Sequence, residues 1–170
     1  MTTRSPALDG VPFTALLAYR DAETIRWREW LERRPEALDV PFGDGMLPTI
    51  RSVVRHIFAV ELRFGQRLAG RPVSDWPEFR QETLADIFAL ADEARGLVGE
   101  FLAGATDEGM RETLTFATLT AGDVTASRHK LVANLLNHGT RHWAQVATVL
   151  RLHGYADQWP HDLLLSDALP

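Results

Sequence analysis

Two histidines four residues apart, His138 and His142, interrupt an otherwise apolar helical stripe, and they are the first place in this sequence where chemistry is conceivable. At about 100° per residue, one face of this segment carries Leu131, Leu135, His138, His142, Val146 and Val149, while Lys130, Asn137, Arg141 and Arg151 project from the other side. Side chains one turn apart have Cβ atoms about 6 Å apart, so two imidazoles at this spacing can aim ring nitrogens at one divalent cation. Taken alone, such a pair reads first as two core histidines, each satisfied by a carbonyl or a neighbouring side chain. His56, on an earlier helical segment beside Val53 and Val60, adds weight to the metal. Three neutral imidazoles in one interior need three separate partners unless a shared cation satisfies them together. His129, His153 and His161 do not join this set: the first points away from the paired face, the second sits at a helix end and the third lies in the tail.

Other polar residues near these stripes are candidates for assisting roles. Glu61 falls near the middle of the apolar stripe that carries His56, where a carboxylate serves either as an orienter or proton acceptor near the metal or as the partner of an arginine on another helix. Asn134 and Gln145, each one turn from a histidine on the same face, are placed to hydrogen-bond ligands or substrate. Tyr19, Arg20 and Trp27 on the first helical segment are candidates to line the mouth, although tryptophans such as Trp27 and Trp30 more often fill a core. Arg55 and Arg141 flank the ligands as possible contacts for a carboxylate-bearing substrate, the alternative being an ordinary solvated helix face.

Four long helical segments must position these groups. The first runs from about Pro12 to Arg34, with Phe13, Leu16, Leu17, Trp27 and Leu31 on one stripe and Pro35 as its stop. After the turn residues Phe42-Gly43-Asp44-Gly45, Thr49 caps a second segment bearing Ile50, Val53, Val54, Ile57, Phe64 and Leu68, ended by Gly70 and Pro72. A linker with Trp76-Pro77 at its centre leads to Thr83-x-x-Asp86, a capping-box pattern for a third helix to about Leu102. The β-branched run Thr113 to Thr120 predicts a short strand or hairpin. Ser127 then caps a fourth helix to about His153, which Gly154 ends, and the tail holds at most one helical turn at Leu163 to Leu165. The pattern predicts an all-α four-helix bundle in a single domain over 1–170, with its core at about 12–153 and a tail at 154–170.

Composition narrows the function. At 170 residues with 45% hydrophobic content, one core suffices without staples, so a metal here serves function rather than folding. The absence of cysteine removes disulfides, thiolate zinc sites, iron-sulfur clusters and cysteine nucleophiles, and fits a reducing, cytoplasmic setting. A net charge of -5 with no basic run argues against a nucleic-acid partner. The start, Met1 to Pro6, lacks the apolar stretch of a secretory signal, and no segment approaches the roughly 20 apolar residues of a membrane span, so no membrane partner is expected.

The segment Val54-Arg55-His56-Ile57-Phe58-Ala59-Val60-Glu61, followed by Asn137-His138-Gly139-Thr140-Arg141-His142-Trp143-Ala144-Gln145, resembles the DinB-like family, also grouped with YfiT-like proteins. The likeness extends from Leu16-Leu17-Ala18-Tyr19 to about His153. It implies an up-down-down-up four-helix bundle in which three histidines, by position His56, His138 and His142, bind one divalent metal ion such as nickel or zinc. It also implies a homodimer, and an activity that is either thiol-dependent S-transfer, with a low-molecular-weight thiol as co-substrate, or hydrolysis of a small-molecule substrate. Three imidazoles leave a coordination position open, as catalytic sites do. A metal-binding, stress-related bundle without catalysis is the alternative.

Overall fold

The computed structural model describes residues 11–43, 45–80, 82–118 and 121–168. Met1 to Pro6, Asp44 of the first loop, and Leu119 and Thr120 of the expected strand lie outside them. Among the described residues, four long helices hold most of the chain: α1 (Phe13–Glu32), α2 (Ile50–Leu68), α3 (Leu84–Gly104) and, after the short α4 (Asp107–Arg111), α5 (Arg128–Leu152). Between α4 and α5 stands an antiparallel hairpin of β1 (Thr113–Thr118) and β2 (Gly122–Ser127), with Phe116 opposite Val124 and Thr115 opposite Thr125. Helix α2 packs against α3 and α5, and α1 packs against the same two. The short 3-10 turn Pro35–Asp39 and helix α4 were not expected from the sequence; both lie in stretches too short to show a period.

Local signals set the helix ends. The Thr49 side chain accepts from the Ser52 amide and the Ser52 hydroxyl accepts from the Thr49 amide, a reciprocal cap that satisfies two free donors at the start of α2. Thr83 and Asp86 do the same for α3, and Ser127 accepts from Lys130 N–H at the start of α5. Each such cap stabilises its helix by about 1 kcal/mol. Gly70 ends α2 at φ +65°, a backbone that L side chains rarely adopt, while the Arg71 amide reaches back to the Gln66 carbonyl.

One core cluster gathers Trp27, Trp30 and Leu31 of α1, Val53, Ile57 and Phe58 of α2, Ile87 and Phe88 of α3, and Trp143, Val146 and Leu150 of α5. Burying each such side chain contributes about 1.5–3 kcal/mol. Trp143 stacks on Trp27 at 4.7 Å and 11°, so the α5 residue immediately after His142 is locked into the interior. That lock fixes the rotation of α5 and hence the direction of the paired histidines. A second cluster, Val98, Leu131, Val132, Leu135 and Leu136, is covered by Leu114, Phe116 and Val124 of the hairpin. Alternate β1 residues turn inward, as the two-residue period of a strand dictates.

Candidate metal centre

His56 of α2 and His138 and His142 of α5 come together, with one potential ligand atom from each within 4.8 Å of the others. The ring centroids stand 5.1 Å apart for His56 and His138, 5.0 Å for His56 and His142, and 4.5 Å for His138 and His142. The Nε2 atoms of His56 and His138 face each other at 3.2 Å. Nδ1–H of His142 donates to Oε1 of Gln145 at 2.8 Å, which fixes the tautomer and leaves Nε2 as the ring's free lone pair. Nδ1 of His138 is buried without a hydrogen-bond partner.

Electrostatics keep these rings neutral. Burial is the main cause for each, and the neighbouring positive charges act in the same sense. His56 is pushed down to about 4, with contributions from His142, Arg141 and Arg55. His138 is pushed down to about 3, with contributions from His142, His56, Arg141 and Arg20. Burial and Arg141 also lower His142, against the opposing hydrogen bond to Gln145. Three lone pairs are therefore available near neutral pH without competition from protons. Two facing Nε2 atoms in a half-buried site require one to carry a hydrogen for the other, whereas a cation satisfies both and the third ring too. The residues present fit a divalent metal: all three donors are nitrogen, and among the described residues no carboxylate closes the set.

The rest of α2 builds a support for His56. Trp76, in the connection between α2 and α3, stacks on His56 at 5.7 Å and 7°. Arg55 of α2 donates from Nη2 to the Trp76 carbonyl at 2.7 Å and from Nε to the Phe79 carbonyl at 2.9 Å. Arg63 donates to the Ser74 carbonyl and lies over the Trp76 ring, while Gln66 holds Ser74 through both its amide atoms. The dipeptide Trp76-Pro77 marks the linker in the sequence; only the fold shows that its indole stacks on His56.

The remaining candidates separate. Gln145 joins the site through His142. Asn134 is exposed. Glu61 is buried and ion-paired with Arg20 of α1. Burial raises its carboxyl, and the guanidinium against it pulls the other way. This pair passes beneath α5 at Gly139: a Cβ built there would lie 2.4 Å from Glu61 Oε1 and 2.5 Å from Arg20 Nη2, so only glycine lets helix and ion pair approach so closely. Tyr19 donates its hydroxyl to the His161 carbonyl at 3.0 Å and lines cavities whose walls include His161 and none of the three clustered histidines.

His161 is the polar residue that sequence reasoning set aside and the fold brings inside. Its Nδ1 donates to Glu23 Oε2 at 2.9 Å, and Nε1–H of Trp159 donates to both Glu23 oxygens at 3.0 and 3.1 Å. Burial acts to raise Glu23, but these hydrogen bonds outweigh it and hold the carboxyl below its usual value. The available signal was Glu23 itself, a carboxylate one turn before Trp27 on the buried stripe of α1.

A mostly helical protein with a three-histidine cluster compatible with one divalent metal is what the fold and the site define. The DinB family model matches residues 8–167, nearly the whole chain, and the protein belongs to the DinB family. No curated protein matches the sequence significantly. Among the described residues, no helix is long and apolar enough to cross a membrane.

Proposed function

We propose that this protein is a divalent-metal-dependent enzyme that acts on a small molecule, by thiol-dependent S-transfer or by hydrolysis, at a site formed by His56, His138 and His142. The observation that carries this reading is the donor set: three imidazoles kept neutral by burial, with one ligand atom of each within 4.8 Å of the others and no acidic ligand to close the shell among the described residues. When bound there, a divalent cation, nickel or zinc on this reading, supplies Lewis acidity toward a water or a thiol. The protein's own contribution is orientation. Gln145 holds the His142 tautomer, Trp76 fixes the His56 plane, and Trp143 pins α5 so that its two histidines face α2. The reading includes the up-down-down-up helix order, a homodimer, and a cytoplasmic setting without nucleic-acid or membrane partners.

One observation favours a second reading, a bundle that binds metal without catalysis. Glu61, the carboxylate nearest in sequence to His56, is ion-paired with Arg20 and is not part of the three-histidine cluster. Metal analysis of protein purified without an immobilised-metal column, followed by a panel of thiols, electrophiles and esters, separates the two. Turnover that disappears in His142→Ala while the helical content persists supports the enzyme. A stoichiometric metal with no turnover across the panel supports the second reading.

A further inference from the structure

Two neighbouring cavities occupy the seam of α1, α5 and the tail, and they share the walls Tyr19, Arg20, Thr140 and His161. The outer one, about 670 Å³, is otherwise lined chiefly by apolar side chains: Phe13 and Leu16 of α1, Leu136 of α5 and Leu163 of the tail. The inner one, about 70 Å³ and more enclosed, adds Glu23, Trp143 and Ala144. None of the three clustered histidines borders either cavity.

Two residues of the inner wall carry polar atoms that the protein leaves unpaired. Trp143 is 5% exposed, and its indole Nε1–H is buried without a hydrogen-bond partner among the described residues. His161 donates from Nδ1 to Glu23, so Nε2 holds the ring's lone pair, and that atom too is buried without a partner among the described residues. Both rings stack on Trp27, at 4.7 and 5.1 Å, which fixes the orphan donor and the orphan acceptor in one aromatic group. Native structures pair nearly all buried polar atoms, because leaving one unmade is costly. A single head group that accepts from the indole and donates to the imidazole satisfies both.

Charge narrows the head group further. The ionised side chains of the inner wall already have counter-charges or donors: Arg20 is paired with Glu61, and Glu23 receives Arg26, Trp159 and His161. A charged head would lose its water there with no free counter-ion to replace it. Asp162 borders the outer cavity, where its negative charge adds to the penalty on anions.

We infer that this seam binds an uncharged amphiphile: a short aliphatic chain with a small head that both accepts and donates a hydrogen bond, of the primary-amide type. The head occupies the inner cavity beside Trp143 and His161, and the chain lies along Phe13, Leu16, Leu136 and Leu163. An apolar pocket with a few convergent polar groups at one end is the usual form of a small-molecule site. This site is separate from the proposed metal centre and does not depend on it.

The test titrates the full chain with three probes of similar size: hexanamide, 2-heptanone, which accepts but cannot donate, and hexanoate, which is charged. Binding is read from the Trp143 indole N–H resonance, identified by its loss in Trp143→Phe. Hexanamide is expected to move that proton downfield to saturation, the ketone to do so with about tenfold weaker affinity, and hexanoate to bind more weakly still. Ala144→Leu, at an exposed position of α5, fills the inner cavity and weakens hexanamide by about tenfold or more, with helical content retained. No saturable movement of the Trp143 resonance with hexanamide overturns the inference. So does ketone or hexanoate binding as tight as the amide's, or unchanged hexanamide affinity in a folded Ala144→Leu; the probe series on the unaltered protein decides the matter alone if that variant does not fold.

Discussion

Helix α5 and the tail bury two histidine-containing clusters, and their chemistry differs for one reason. At His161 one ring nitrogen, Nδ1, donates to a carboxylate, Glu23, which also receives the Trp159 indole and Arg26, while Nε2 is buried without a hydrogen-bond partner among the described residues. At His56, His138 and His142 no carboxylate joins the cluster among the described residues; the rings face one another, and Gln145 is a neutral side-chain partner of His142. A buried imidazole beside its own carboxylate is a structural clasp, here tying the tail to α1. Buried imidazoles that lack one can share a cation instead. Each region has an imidazole stacked on an indole, His161 on Trp27 and His56 on Trp76, so the missing anion is what separates a clasp from a candidate metal centre.

Breaking each cluster separately is the sharpest way to test that difference. The largest effect is expected from His142→Ala, which removes a ligand and lowers metal affinity by more than about 100-fold in calorimetric titration, whereas His161→Ala leaves it unchanged. If His161→Ala weakens metal binding as strongly, the two clusters are not independent. The clasp should show itself in stability instead: His161→Ala lowers the unfolding free energy by about 1–3 kcal/mol in urea titration, because Glu23 loses a buried hydrogen-bond partner. Gln145→Ala leaves all three ligands in place but frees the His142 ring, and is expected to weaken metal binding by about tenfold.

A further effect concerns pH. Folded His56 and His138 titrate at about 4 and about 3, against an ordinary value of 6.5. Between these limits the unfolded chain binds protons that the folded chain refuses, so the metal-free protein holds this part of its stability above pH 6.5 and loses it as pH falls toward 4. Thermal melts of the metal-free protein from pH 7 to pH 5 should show Tm falling, less steeply in His56→Gln. An equal slope in the two proteins would contradict the burial of these rings as neutral groups.

What was legible in the sequence was local or periodic. Thr49, Thr83 and Ser127 announce their helices because a cap is a contact over three residues, and the hairpin is visible in the β-branched run before Ala121. His138 and His142 are readable because a stripe and a four-residue spacing fix their relation, and His56 because it interrupts a second stripe. The Glu23–His161 clasp spans 138 residues and the Arg20–Glu61 pair 41, and no periodicity encodes which distant element a buried charge will meet. The role of Gly139 was hidden for the same reason: its missing Cβ matters only because two side chains from α1 and α2 cross there. Trp76 belonged to a stretch with no helical period, and its stacking on His56 depends on arginines of α2 that read as surface residues.

Whether the three clustered histidines hold one metal ion is decided by isothermal titration of nickel and zinc into protein prepared without a metal column and stripped with chelator. One ion per chain, bound with release of few protons near pH 7 and abolished in His142→Ala, is the expected result. No heat of binding from either ion, or an unchanged stoichiometric site in the variant, would contradict it.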